Sequence, residues 1–69
     1  MYDRILKASL ERETVITIIY LKEDIITKRN ILVLEVMNDS IKAYCFLRNS
    51  IRVFKKDSIL AADYLYSKK

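Results

Sequence analysis

A chain of 69 residues, 52% of them hydrophobic and 32% charged, makes one domain (1–69) that is too apolar for disorder and small enough to need a dense core or a partner. With no His and a single Cys45 it offers neither an internal disulfide nor an ordinary zinc or haem site, and no apolar run approaches the ~20 residues of a membrane span. Thirteen Lys and Arg against nine Asp and Glu leave a net charge of +4, which permits a polyanionic partner without requiring one.

The N-terminal MYDRILKASLERET lacks the apolar centre of a signal peptide, so a reducing cytoplasm is the expected location. Residues 2–12 instead carry Ile5, Ala8 and Leu10, with Leu6 and Ser9 beside them, at roughly the spacing of a short amphipathic helix. Asp3 near its start and Lys7 and Arg12 further on suit the helix dipole.

After Glu13 the pattern changes. VITIIYL, residues 15–21, is β-branched and aromatic and too short for a free-standing helix, which predicts a first strand over about 14–22. Lys22, Glu23 and Asp24 form a polar connection to a long second strand over about 26–37. There Leu32, Leu34 and Val36 share one parity, while Arg29, Ile31, Val33, Glu35 and Met37 share the other, so the strand must bend or twist to bury each face over part of its length. Asn38-Asp39 leads into a third strand over about 40–48, and Asn49 into a fourth over about 51–56. Residues 60–66, LAADYLY, fit a fifth strand or a terminal helix; the strand is the reading adopted, although Ala61 and Ala62 weaken it. With no Gly and no Pro, Asn and Asp are expected to turn every corner.

Alternation along the third strand places Ile41, Ala43, Cys45 and Leu47 on one face, the natural core, and Lys42, Tyr44, Phe46 and Arg48 on the other. In the fourth strand Ile51 and Val53 oppose Arg52, Phe54 and Lys56. A three-residue loop, Arg48 to Ser50, would pair Leu47 with Ile51 and gather both cation-aromatic sets on one surface. A two-residue loop, Asn49-Ser50, would set Phe54 beside Cys45 on the core face. The pattern admits both registers. Cys45, sharing the aliphatic parity with no cation on its own face, reads as an inert buried thiol.

For catalysis the chain lacks His, a Gly-rich phosphate loop, a spaced Cys pair and a nucleophile elbow, and Glu23-Asp24 reads as a solvated turn; a non-enzyme without metal or cofactor is expected. The better candidate is a surface for single-stranded DNA or RNA, or a small anionic ligand, formed by Tyr20, Lys42, Tyr44, Phe46, Arg48, Arg52 and Lys55, with Lys22 and Lys56 as extensions. Exposed aromatics stack bases at ~1–3 kcal/mol each while cations follow the phosphates. The same residues fit a plainer role: Tyr20 and Tyr44 as buried caps, Phe46 and Phe54 as packing under the helix, and the cations as guards of strand edges. The alternative function is a protein-interaction module, acting as a homodimer or against a larger regulatory protein through an edge strand or apolar patch.

The short helix, the V-I-T-I-x-Y strand ending at Tyr20, the long strand with Arg29 and Ile31, and then A-Y-C-x-L-R followed by I-R-V-F-K-x-D-x-I resemble the WYL domain over nearly the whole chain. The similarity is most specific at Ala43-Tyr44-Cys45, Leu47-Arg48 and Arg52-Val53-Phe54-Lys55, with Asp57 and Ile59. It implies a mainly β fold, a small SH3-like or Sm-like five-stranded barrel with a short N-terminal helix. In bacterial transcription regulators such barrels usually follow a winged-helix DNA-binding domain and sense a ligand or nucleic acid. The triplet that names the family falls at Asp39, Ser40 and Ile41, without its Trp and Tyr; Ser58 stands where a basic residue is common and Val33 where a proline is usual. No winged helix has room before the first helix, so the resemblance implies a divergent, free-standing regulatory accessory module.

Overall fold

The computed structural model describes residues 2–65. Helix α1 (Asp3–Arg12) precedes β1 (Ile16–Lys22), β2 (Ile25–Val36), β3 (Ser40–Cys45), β4 (Ser50–Lys55) and β5 (Ile59–Tyr64), with a 3-10 turn, Lys56–Ser58, between the last two. The strands form a single open antiparallel sheet in the order β4-β3-β2-β1-β5. Residues 60–64 are therefore strand and not helix; Tyr66, the end of the expected fifth strand, lies outside the described residues. No helix of the described residues is long and apolar enough to cross a membrane.

Corners are turned differently from the expectation. Positive φ falls at Glu13, Glu23, Asp24 and Asn49. Two glutamates thus take left-handed positions, and Asn38-Asp39 takes none. Glu13 closes α1 in the left-handed cap conformation that glycine usually fills, its N–H donating to the Ser9 carbonyl. Glu23-Asp24 forms the two-residue β1–β2 turn, where φ > 0 at both positions matches the twist of the flanking strands.

The sheet has to curl. β4 and β5 lie at opposite edges, four inter-strand spacings apart, or ~19 Å in a flat sheet. The link from Lys55 to Ile59 spans at most ~14 Å fully extended, and less as a 3-10 turn. Curling brings β4 over β1: the Lys55 N–H donates to the Tyr20 hydroxyl at 3.0 Å although β2 and β3 lie between the two strands. The Lys56 N–H closes the same corner on the Asp39 carbonyl at 2.9 Å.

Inside the curl lie Ile16, Ile18, Ile31, Val33, Ile41, Ala43, Cys45, Phe54 and Ile59, with Leu6 of α1 completing the core. The helix stripe facing the sheet centres on Leu6 and Ser9, with Tyr2, Ile5 and Leu10 packed beside them. β1 ends opposite Ile31, so beyond that point β2 lacks this neighbour and α1 covers the vacated side. The fully buried Ser9 makes the join: its hydroxyl accepts the Val33 N–H at 3.0 Å and donates to the Thr14 carbonyl at 2.6 Å. A register shift between Val33 and Glu35 produces the bend expected from the mixed parity of β2.

Ser9→Ala would strand a buried N–H and a carbonyl, each worth ~1–3 kcal/mol when left unsatisfied. Urea unfolding should show a loss of about 2–4 kcal/mol, against less than ~0.5 kcal/mol for the exposed Lys7→Ala. Equal effects would mean that the hydroxyl does not tie α1 to the sheet.

Candidate anion-binding cleft

The β3–β4 register pairs Cys45 with Ser50 and Ile41 with Phe54, around a four-residue turn of Phe46 to Asn49. Neither expected loop forms. β3 ends at Cys45, three residues short of Arg48; residues 46–49 form the turn, and Asn49, its last residue before β4, takes positive φ.

This register rearranges the predicted surface. Phe54 turns inward and is 2% exposed, and Arg52, opposite Ala43, lies on that same inner face. The faces are those the two-residue loop would have set: Ile51 and Val53, which only the three-residue loop joined to the aliphatic core, lie beside Tyr44 and Lys42 and are 57% and 59% exposed. Leu47, also assigned to the core, stands exposed in the turn.

The seven proposed site residues therefore do not share one surface. Lys42 is outside, 3.9 Å from Glu35. Tyr44 and Phe46 pack edge to face there with ring centres 4.9 Å apart, and Arg48 is exposed in the turn. Tyr20, Arg52 and Lys55 instead meet on the other side, in a cleft of about 370 Å3 that Lys22, Arg29 and Phe54 also line. Its four cations, Lys22, Arg29, Arg52 and Lys55, face one carboxylate, Glu23.

The aromatic rings of the cleft are structural. Tyr20 and Phe54 meet edge to face at 4.9 Å, and both are buried, so neither offers a free face for a base. For Tyr20 the plainer role holds: a buried ring whose hydroxyl binds the Lys55 N–H.

Arg29 is the cleft residue that strand-by-strand reading of the sequence does not single out. It is 8% exposed, and its Nε donates to Thr27 Oγ1 at 3.0 Å while Nη1 donates to Cys45 Sγ at 3.6 Å. The guanidinium carbon lies 5.8 Å from the Phe54 ring centre, a cation–π contact. Among the described residues the ion pairs are Lys42–Glu35 and Lys56–Asp3, so this buried charge has no carboxylate. A cation on the core parity of β2, between Thr27 and Ile31, was the available signal.

Cys45 is buried as expected, but its face is not free of cations. Burial pushes it up, but the Arg48 N–H, the Arg29 guanidinium and the Leu47 N–H outweigh burial and hold the thiol below its ordinary value of 9.0. The activating cation belongs to the neighbouring strand: Cys45 pairs with Ile31, which puts Arg29 diagonally across on the same face. Inspection of β3 alone could not reveal it.

A thiol lowered by folding contributes stability above the unfolded value and loses it as pH falls through the folded one. Relative to Cys45→Ser, the native protein should gain stability as pH rises toward 9.0 and level off beyond it, read by urea unfolding at a series of pH values. The opposite slope would show that burial dominates.

Protein-family models, curated proteins and solved structures were all compared with the chain, and none matches it.

Proposed function

We propose that this chain is a non-catalytic binding module that takes the phosphates of a single-stranded nucleic acid, or of a small anionic ligand, in the cleft of Lys22, Arg29, Arg52 and Lys55. One observation carries the reading: four cations converge against a single carboxylate, and the most buried of them lacks an acidic partner. Buried charges are normally paired, so a cleft that leaves a guanidinium without a counter-charge suits an incoming anion.

Recognition then differs from base stacking. The cleft rings are buried, and the Tyr44–Phe46 pair, half-buried and exposed respectively, is on the opposite side, so phosphate contacts supply the affinity and bases stay outside. Such binding tolerates sequence and falls steeply with salt. Membership among SH3-like or Sm-like barrels is supported by the strand order with edge strands joined through a 3-10 turn. A regulatory role of the WYL kind rests on the quoted motif residues, of which Arg52, Phe54 and Lys55 line the cleft.

A second reading is favoured by the outer face. Ile51 and Val53 stand more than half exposed on edge strand β4, with Leu34 41% exposed on the outer side of β2, as a homodimer or a larger regulatory partner would require.

Arg52→Ala should weaken binding of a single-stranded oligonucleotide and flatten its salt dependence by ~0.7 in log–log slope for each phosphate it no longer neutralises, whereas Lys42→Ala should change neither. A larger effect of Lys42→Ala would move the site to the outer face. Light scattering separates the second reading, since apolar association through the outer face of β4 should persist at high salt and vanish in Ile51→Lys. A monomer at both salt concentrations would remove it.

A further inference from the structure

We infer that the cleft reads a phosphate monoester, the terminal group of a 5′-phosphorylated oligonucleotide or of a free nucleotide, and that Arg29 is the residue that recognises it. This rests on the cleft taking an anion and adds which kind. Arg29 shows only 8% of its surface, whereas Arg52 and Lys55 are exposed. An internal phosphodiester has a sugar on each side, so its oxygens reach Arg52 and Lys55 but are held away from a guanidinium at that depth. A monoester has one substituent and three free oxygens, and the free end can enter first.

Charge and geometry agree. A guanidinium carries five N–H donors; Thr27 and Cys45 use two of Arg29's, leaving three. No buried side-chain nitrogen or oxygen among the described residues lacks a partner, so the unpaired end of Arg29 opens on the cleft that it lines. Its plane is already fixed by Thr27, Cys45 and the Phe54 ring, which lowers the ordering cost of a two-pronged contact to an oxyanion. A monoester loses its second proton at pH ~6, and the resulting dianion suits four cations against one carboxylate better than the single charge of a diester does.

The test uses the full chain and two 3′-labelled oligonucleotides of one sequence, with 5′-phosphate or 5′-hydroxyl ends, in fluorescence anisotropy. The phosphorylated one should bind at least ~tenfold tighter, the size of one charge-assisted contact. The ratio should grow as pH rises through ~6. Arg29→Lys should bring it close to one; because a buried position can fail to fold when changed, the ratio and its pH dependence in the unaltered protein decide the matter. Competition identifies the source: nucleoside 5′-monophosphate displacing the phosphorylated oligonucleotide at comparable concentration marks a free nucleotide, and a much weaker effect marks a strand end. Equal affinity for the two ends would overturn the inference and leave the cleft as a general phosphate groove. Failure of both to bind with salt sensitivity would overturn the proposed function as well.

Discussion

A guanidinium that is nine-tenths buried has to find partners for its charge and its N–H groups, and the inner face of this sheet is organised around that need. Thr27 from Arg29's own strand, Cys45 from the next strand and Phe54 from the strand beyond supply a hydroxyl, a sulfur and a ring face. None is a full negative charge. Cys45 offers a sulfur at 3.6 Å, and the guanidinium helps hold its thiol below the ordinary value. What is left is an open, positively charged end in a cleft that already contains three other cations.

The arrangement depends on the curl and on one hairpin register. Without the short link between β4 and β5, the sheet would have no reason to bring Lys55 and Phe54 against Tyr20. The four-residue turn at Phe46 to Asn49 sets Phe54 opposite Ile41, where its ring meets Arg29. Ser9 works at the opposite end, fixing α1 where β2 outruns β1 and so closing the core from that side. Core packing and the site thus share the same strands, and residues two apart on one face serve both: Ile31 is packed and Arg29 faces the cleft.

Much of the fold was legible in the sequence because strand periodicity and helix amphipathicity are local. The helix, the first four strands and the bend in β2 follow from alternation and from β-branched runs, whereas Ala61 and Ala62 left the fifth segment open between strand and helix. The site was only partly legible because it depends on register. Shifting a hairpin by one residue exchanges its faces, and neither Asn49 nor Ser50 declared a four-residue loop. The pattern admitted both face assignments, and the observed one, with Arg52 and Phe54 inward and Tyr44 apart from Arg52, is that of the shorter expected loop. Arg29 and Cys45 were hidden for a related reason: each looks ordinary within its own strand, and their meaning appears only when β2 and β3 are laid side by side.

If the cleft takes the phosphates, the outer face, with Tyr44, Phe46 and Ile51, is left to protein contact or to solvent, and Val53 borders both. Residue-resolved chemical-shift mapping during titration with a single-stranded oligonucleotide tests this division most directly. The account expects the largest shifts at Tyr20, Lys22, Arg29, Cys45, Arg52 and Lys55, with the Arg29 side-chain N–H resonances among them. Shifts concentrated at Lys42, Tyr44, Phe46 and Arg48, with the cleft unmoved, would contradict it.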